Sequence, residues 1–347
     1  MGPFRQVLYE QLFVTPEVPT TDCTGRTVIV TGANTGLGKE AARHLVKLNA
    51  DRVIITSRTA SKGEAAAKDI EQTTGRKGVV EVWDLDLENY DNVKAFGERI
   101  KTLQRLDAVI ENAGKNIMKY YEVAGNESTI TVNVVSTFLL ALLVLPKLQE
   151  TARIYNIVPT LTIVSSDVHY MTSVSALLRQ LSPFITSTDN AQFPERKSAN
   201  IFDTLNDPKT ARMSDRYNVS KLLEVFTVRH IARNHPVSQL HVTVNTLTPG
   251  LCESELIRDH NVVIRAIGWV IKKLIARTTE AGSRTLVHAG VAAGEETHGK
   301  FMSTCHVLEA AKLVEGPEGR GLEDRVWDEL SQKLEAIQPG ITKSLGA

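Results

Sequence analysis

Short apolar runs rich in valine and isoleucine recur along this chain. Each is followed by a longer stretch in which apolar residues return every third or fourth position. RTVIVTG, RVIITS, VVEVWDLDL, LDAVIENAG, TLTIVSS, HVTVNTLTPG and GKFMST read as strands. LGKEAARHLVKLNA, ASKGEAAAKDIEQT, NVKAFGERIKTL, TITVNVVSTFLLALLVLPKL and YNVSKLLEVFTVRHIARN read as helices, the fourth ending near Pro146. Regular alternation of the two predicts an α/β fold, a doubly wound, mostly parallel sheet with helices on both faces. The strands are apolar throughout rather than at every second position, as expected when both faces are covered.

Three segments stand outside this rhythm. Residues 1–24, with Pro16 and Pro19, read as an N-terminal arm laid over the surface of a single domain spanning 25–347. Residues 167–213 form a long insertion between a strand and a helix, and residues 251–282 lie beyond the end of a strand. Irregular segments in such positions are expected as lids or substrate walls, the plainer reading being surface decoration.

Composition narrows the setting. With 42% hydrophobic and 23% charged residues the chain belongs among soluble globular proteins. A formal net charge of zero gives no overall pull toward nucleic acid or an anionic membrane. Cys23, Cys252 and Cys305 are far apart, which argues against a disulfide framework or a metal knuckle and fits a reducing, cytoplasmic location. The nine histidines show no metal-ligand spacing, so no catalytic metal is expected. No secretory leader is apparent, and the run closest to a membrane span, Val262 to Ala276, is short and carries Arg265, Lys272 and Lys273.

The first chemical signal is Thr31-Gly32-Ala33-Asn34-Thr35-Gly36-Leu37-Gly38, between the first strand and the first helix. Glycines there let the backbone turn sharply and approach a pyrophosphate, while the helix N-terminus offers free N–H groups to the anion. Gly32, Asn34, Thr35, Gly36, Leu37 and Gly38 are the candidate dinucleotide-binding positions. The spacing, G-x-x-x-G-x-G, differs from the commoner G-x-G-x-x-G.

This turn resembles the T-G-x-x-x-G-x-G signature of the short-chain dehydrogenases/reductases, and the other motifs of that superfamily follow in order. Asn112-Ala113-Gly114 is similar to its N-A-G element. Asn133 falls at its helical asparagine, Ser165-Ser166 at the end of its fifth strand, Tyr217-x-x-x-Lys221 at its Y-x-x-x-K, and Pro249-Gly250 at its P-G loop. The ordered set, covering roughly residues 25–340, resembles most the retinol-dehydrogenase-like branch and fungal relatives in secondary metabolism. Glu111 departs from the pattern, in which asparagine is common before N-A-G. The resemblance implies a Rossmann-type fold. It also implies a nicotinamide site lined by Asn112, Ala113, Gly114, Tyr217, Lys221, Pro249 and Gly250, and a hydride transfer between the dinucleotide and a carbonyl or alcohol.

The residues support that chemistry on their own terms. A free phenol titrates near pH ~10, and Lys221, four residues along the same helical face, brings a positive charge that favours the phenolate. Tyr217 is therefore the candidate acid/base. Ser166 is the candidate donor to the substrate oxygen, with Ser165 its competitor and the family pattern favouring the second serine. The resemblance implies that Asn133 holds a water linking Lys221 to solvent, against the alternative of a core amide satisfied by backbone. His169 close to the serines invites a hydrolase reading, but no nucleophile elbow surrounds Ser166.

The second strand ends Thr56-Ser57-Arg58 without an acid, so Arg58 is free to pair with a 2′-phosphate and NADP(H) is the expected cofactor. Asp86 is expected on the adenine amino group with Leu87 beside the ring, and Asp84 is the alternate. The apolar run after Pro249-Gly250 suggests a bulky, largely apolar ketone or aldehyde, of polyketide or terpenoid kind. The same run would also suit a membrane surface or a dimer contact, leaving monomer and homodimer both open. The competing functions are a non-catalytic dinucleotide-binding scaffold or sensor, and an epimerase or dehydratase on the same fold.

Overall fold

A computed structural model describes residues 3–170, 193–253 and 275–346 of the chain. Its strands are β1 (Thr27–Val30), β2 (Arg52–Ser57), β3 (Val80–Asp84), β4 (Ala108–Glu111), a short hairpin of β5 (Glu122–Val123) and β6 (Asn126–Glu127), β7 (Thr160–Val164), β8 (Thr243–Thr248), β9 (Phe301–Ser303) and β10 (His306–Leu308). Eight of them form one sheet in the order β10-β9-β8-β7-β4-β1-β2-β3. Its pairs are parallel except β9 with β10. The order reverses between β1 and β4, which opens a crevice at their C-terminal ends.

The helices are α1 (Pro3–Phe13), α2 (Gly36–Lys47), α3 (Ala60–Thr74), α4 (Tyr90–Ile100), α5 (Ser128–Tyr155), α6 (Ile201–Asn206), α7 (Met213–Asn234), α8 (Thr279–Val287) and α9 (Gly319–Ile337). Successive residues of β1 serve opposite cores. Ile29 packs with Val109, Phe138 and Leu161 on the side of α4, α5, α7 and α9. Val28 and Val30 pack with Ala41, Leu45, Ile70 and Leu286 on the side of α2, α3 and α8. Burial on both faces is why these strands carry no polar alternation. The expected doubly wound, mostly parallel sheet is therefore present.

Several elements differ from the sequence reading. The helix expected to end near Pro146 continues to Tyr155, with one π-type turn over Thr131–Ser136. Pro146 is exposed while Leu145 and Lys147 beside it are buried, so the proline occupies the outer edge of a helix held by its apolar inner surface. Among the described residues this helix is the one long and apolar enough to cross a membrane, with a mean hydropathy of 2.1, and it is wholly buried in the core. Most of the Val262–Ala276 run lies outside the described residues. The final strand was expected alone. Instead the chain turns back through Thr304 and Cys305, both at positive φ, into the antiparallel β10.

The N-terminal arm carries α1, which turns Val7 and Glu10 inward and leaves Tyr9 and Phe13 exposed. Of the 167–213 insertion, residues 171–192 lie outside the described residues, and the remainder is folded against the body. Phe193, Ile201, Phe202 and Leu205 join the larger core. Glu329 on α9 accepts hydrogen bonds from the backbone N–H of Ile201 at 2.7 Å and of Phe202 at 3.1 Å, capping α6 from a distant helix.

Glu127 starts α5 by accepting from the N–H of Thr129 at 2.9 Å and of Ile130 at 3.3 Å, and its carboxylate lies 3.5 Å from the guanidinium of Arg216. Both side chains are enclosed, at 0% and 1% exposure. Removing one partner leaves the other charge buried and uncompensated. Glu127→Ala should therefore lower the unfolding free energy by about 3–5 kcal/mol, read from urea denaturation. A loss under about 1 kcal/mol would mean that the pair is no better than a surface ion pair.

Candidate active site

The glycine turn leaves β1 at Thr31 and is held from two sides. Gly32 and Gly36 have φ of +62° and +60°, a region that side chains with a Cβ rarely adopt. A Cβ on Gly32 would stand 2.9 Å from the Cα of Ala113. The N–H of Gly32 donates to the Thr56 hydroxyl at 3.0 Å, tying the turn to β2. From the other side the Asn112 amide donates to the carbonyls of Thr31 at 2.9 Å and Gly32 at 3.3 Å, and the Ala113 N–H donates to the Thr31 hydroxyl at 2.9 Å. Asn112 and Ala113 thus set the shape of the turn. Among the described residues nothing lies within 4 Å of where a Cβ on Gly36 would stand, and no side chain caps the first turn of α2 after Thr35. This open cradle, with unsatisfied N–H groups at a helix N-terminus, has the chemistry to hold a diphosphate.

Tyr217, Lys221 and Ser166 come together beside this turn. Strand alternation separates the two serines. Ser165 turns toward α7 and donates to the Lys221 carbonyl at 2.9 Å. Ser166 is the serine whose hydroxyl acts on the Tyr217 phenol, lowering its pKa. The Lys221 ammonium lies 5.7 Å from the centre of the Tyr217 ring. Burial pushes the phenol above its usual value, Lys221 and the Ser166 hydroxyl pull it back, and Glu224 and Asp167 push it up again. The Lys221 ammonium is itself enclosed. Burial acts against its charge, but Glu224 and the tyrosine outweigh that and hold it protonated.

Sequence reading did not single out Glu224 as part of this group. Lys221 donates to its carboxylate at 2.8 Å and to the Val164 carbonyl at 2.8 Å. The signal was present as an acid three residues after a lysine in the otherwise apolar stretch KLLEVF, a spacing that brings side chains together on a helix.

Asn133 sits in the π-type turn of α5, fully buried, and its amide is committed. Its oxygen accepts from the Lys115 N–H at 2.9 Å, and its nitrogen donates to the Lys115 carbonyl at 3.0 Å and the Ser220 hydroxyl at 2.9 Å. Ser220 in turn donates to the Tyr217 carbonyl at 2.7 Å. The side chain therefore braces the chain after Gly114 against α7. Both amide protons are engaged in this way, while the oxygen, which has two lone pairs, accepts one of these bonds.

The remaining candidates surround the crevice. Arg58 is 54% exposed just beyond β2 and lies 3.5 Å from Glu88, a carboxylate that also receives Lys115 and Tyr121. Asp86 accepts from the Glu88 N–H at 3.0 Å and is partly exposed, whereas Leu87 is buried in the core rather than lying open. Asp84 accepts from Asn92 at 2.6 Å. On the opposite wall Gly250 has φ +76° after Pro249. Gln11 of α1 accepts from the Leu251 N–H at 2.9 Å and donates to the carbonyls of Leu251 and Ile275 at 3.0 and 2.7 Å. The arm therefore holds both flanks of residues 254–274, which lie outside the described residues.

His169 is no partner of the Ser166 hydroxyl. Its Nδ1 lies 2.7 Å from the Ser166 carbonyl and its Nε2 accepts from the Ala311 N–H at 3.2 Å. Burial pushes its pKa down to about 4, so the ring is a neutral bracket between β7 and the chain after β10. Among the described residues no group of acids, histidines or cysteines is arranged to hold a metal.

Comparison with known proteins agrees with this geometry. The family model described as short chain dehydrogenase matches residues 26–176. A short chain dehydrogenase/reductase of Cryptosporiopsis sp. is 47% identical over 344 residues, covering 97% of this chain and 99% of the relative. A short-chain dehydrogenase of Penicillium roqueforti is 42% identical over 340 residues, covering 96% and 84%. Among solved structures, the NADP complex of RhlG from Pseudomonas aeruginosa superposes with a TM-score of 0.57 at 22% identity, covering 82% of this chain and 96% of that one. At that identity the likeness concerns the fold.

The neutral His169 ring has a consequence for acid stability. The folded protein refuses its proton down to about pH 4, while the unfolded chain accepts it near 6.5. Stability is therefore lost as pH falls between those values, by at most about 1.4 kcal/mol per pH unit. His169→Leu should be less stable at neutral pH, with two backbone groups left unpaired, yet lose stability less steeply on acidification. Denaturant unfolding of both proteins across this range checks it; parallel slopes would place the acid sensitivity in other groups.

Proposed function

The chain belongs to the short-chain dehydrogenase family, and from that premise we propose that it is an NADPH-dependent reductase of bulky, largely apolar ketones or aldehydes. The observation that carries this reading is the Tyr217 phenol set between the Ser166 hydroxyl and the Lys221 ammonium, beside the glycine turn. The bound nicotinamide would supply the hydride. Gly32, Asn34, Thr35, Gly36, Leu37 and Gly38 would hold the diphosphate in the open cradle. Asp86 would bound the adenine, with Leu87 packed in the core behind it, and Asn112, Ala113, Gly114, Pro249 and Gly250 the nicotinamide end.

The protein's own groups handle the proton and the oxygen. Ser166 donates a hydrogen bond to the substrate oxygen as charge develops on it. Tyr217 gives that oxygen its phenolic proton, and Lys221 stabilises the phenolate left behind. Burial keeps the phenol protonated through the neutral range, which suits donation and hence the reductive direction. Asn133 keeps Tyr217 in register through Ser220.

Two large apolar side chains, Met118 and Leu251, are exposed beyond the C-terminal ends of β4 and β8, the side of the sheet on which ligands bind in such folds. They support an apolar substrate of polyketide or terpenoid kind. The fungal sources of the relatives fit a role in fungal secondary metabolism.

Tyr217→Phe removes a single oxygen and should leave NADPH binding intact while reducing kcat to less than about a tenth, a loss above ~1.4 kcal/mol. Steady-state turnover with an apolar ketone and a fluorescence titration of NADPH read the two arms. A variant retaining more than that tenth would exclude Tyr217 as the proton donor.

Arg58→Ala should weaken NADPH by about tenfold or more, since a charge-assisted contact is worth roughly 1.5–3 kcal/mol. NADH should be almost unaffected. Glu88 holds Arg58 in the structure and would have to release it to a 2′-phosphate. Equal losses for both cofactors would make Arg58 structural, and a wild type preferring NADH would reject the NADP(H) assignment.

A further inference from the structure

The chain just before α8 runs alongside the loop that follows β8. Cys252 and Arg277 face each other in a parallel bridge. The Arg277 N–H donates to the Leu251 carbonyl at 2.9 Å, and the Glu253 N–H donates to the Arg277 carbonyl at 3.0 Å. In such a ladder the bonds are evenly spaced, and the next rung would join the Leu251 N–H to the Ile275 carbonyl. That rung is made through a side chain. The Gln11 amide of α1 accepts from the Leu251 N–H at 2.9 Å and donates to the Ile275 carbonyl at 2.7 Å. It also donates to the Leu251 carbonyl at 3.0 Å. Gln11 thus stands in for a peptide unit between two segments far from it in the chain.

Helix α1 is fixed where this amide is needed. The Glu10 side chain is 5% exposed, lies 3.0 Å from the His306 ring and accepts from the Ser303 hydroxyl at 2.8 Å, which ties α1 to β9 and β10. The Arg277 guanidinium donates to the carbonyls of Glu10 at 2.7 Å and Val14 at 3.0 Å. From the inner side the Thr248 hydroxyl accepts from the Gly250 N–H at 3.0 Å and from the Asp167 N–H at 3.2 Å. Two consecutive N–H groups of the loop, those of Gly250 and Leu251, are therefore claimed by side chains of β8 and α1. Gly250 is held at φ +76°, with Oε1 of Gln11 standing 2.5 Å from where a Cβ would be. The shape of Pro249-Gly250-Leu251 is set before any ligand arrives, and it is set relative to Asp167, the residue after Ser166.

We propose that Gln11 is a positioning residue for the cofactor: it holds Pro249-Gly250-Leu251 in the shape that receives the nicotinamide half of the dinucleotide. The proposal rests on the reductase reading above, which puts Pro249 and Gly250 at that half. A loop ordered in advance adds no ordering cost to binding. A loop that holds the right shape in only a fraction of molecules weakens binding by that fraction. Once the nicotinamide half is seated, its own contacts order the loop, so the chemistry at Tyr217 does not depend on Gln11. The residue therefore acts on affinity and not on turnover, and it acts through one half of the cofactor only.

Gln11 is partly exposed, so Gln11→Ala removes the three bonds without opening the core. Fluorescence titration should show NADPH bound about tenfold more weakly by the variant, the worth of one or two net hydrogen bonds. Adenosine 2′,5′-bisphosphate, the half of NADPH without the nicotinamide, should bind both proteins equally. With an apolar ketone and saturating NADPH, kcat should stay within about twofold of wild type. Hydrogen exchange in the protein without cofactor should be faster at Gly250 and Leu251 in the variant.

Unchanged NADPH affinity would overturn the proposal. Equal losses for NADPH and the bisphosphate, or a kcat that falls as far as the affinity, would make Gln11 a general support of the fold and overturn it as well. Should the wild type prefer NADH, NADH and AMP form the same pair of probes. A wild type that binds neither dinucleotide defeats the reductase reading and this proposal with it, whereas tight binding untouched by Gln11→Ala defeats this proposal alone.

Discussion

The contact between the end of β1 and the end of β4 is the constraint on which the rest depends. Only a residue without a Cβ fits at Gly32, because Ala113 stands where a side chain would be. Once the two strand ends are in contact, a continuous line of hydrogen bonds follows. Asn112 fixes the turn, Asn133 fixes Lys115 just beyond it, Asn133 also holds Ser220, and Ser220 holds the backbone of Tyr217. The phosphate-sized cradle and the phenol, on segments far apart in the chain, are thereby placed relative to one another through rigid groups. Such support is what the proposed proton donor needs, since proton transfer tolerates only small displacements.

The same close packing sets the electrostatics. Lys221 sits away from water and needs a partner to keep its charge; Glu224 supplies it within one helical turn. That partner then weighs against the phenolate of Tyr217, so the tyrosine feels two opposed influences, one from the lysine and one from the acid behind it. A further buried acid, Glu111, ends β4, and burial holds it well above the ordinary carboxylate range. Destabilising groups retained in the interior of an otherwise apolar sheet are a recurrent feature of sites where chemistry competes with stability.

The cofactor and substrate sides of the crevice are held differently. The cofactor side is built on strand ends and a helix N-terminus, with Arg58 and Lys115 drawn toward Glu88. The far side depends on α1. Gln11 binds the chain on either side of residues 254–274, and Arg277 donates to the carbonyls of Glu10 and Val14 in return. An N-terminal segment that looks dispensable by position is therefore coupled to the wall of the crevice by side-chain hydrogen bonds to backbone carbonyls.

By itself the sequence determined the doubly wound sheet, the glycine turn and the order of the family motifs. Each rests on local pattern: apolar runs of strand length, a helical repeat between them, and glycines where the backbone turns sharply. Tyr217 and Lys221 were legible for the same reason, since four residues along a helix bring two side chains together whatever surrounds them. Pro146 misled because a local rule about proline was overridden by burial of the rest of α5, and β10 was missed because Thr304 and Cys305 are not ordinary turn residues. The contacts of Asn133 and His169 and the burial of Glu111 were decided by tertiary structure alone. Each is a polar side chain whose meaning depends on what lies across a strand or helix boundary: a backbone amide, a carbonyl or a hydroxyl. Such partners are far away in the chain or hidden among apolar neighbours, and burial, which turns an ordinary carboxyl or imidazole into a shifted one, is a property of the folded interior.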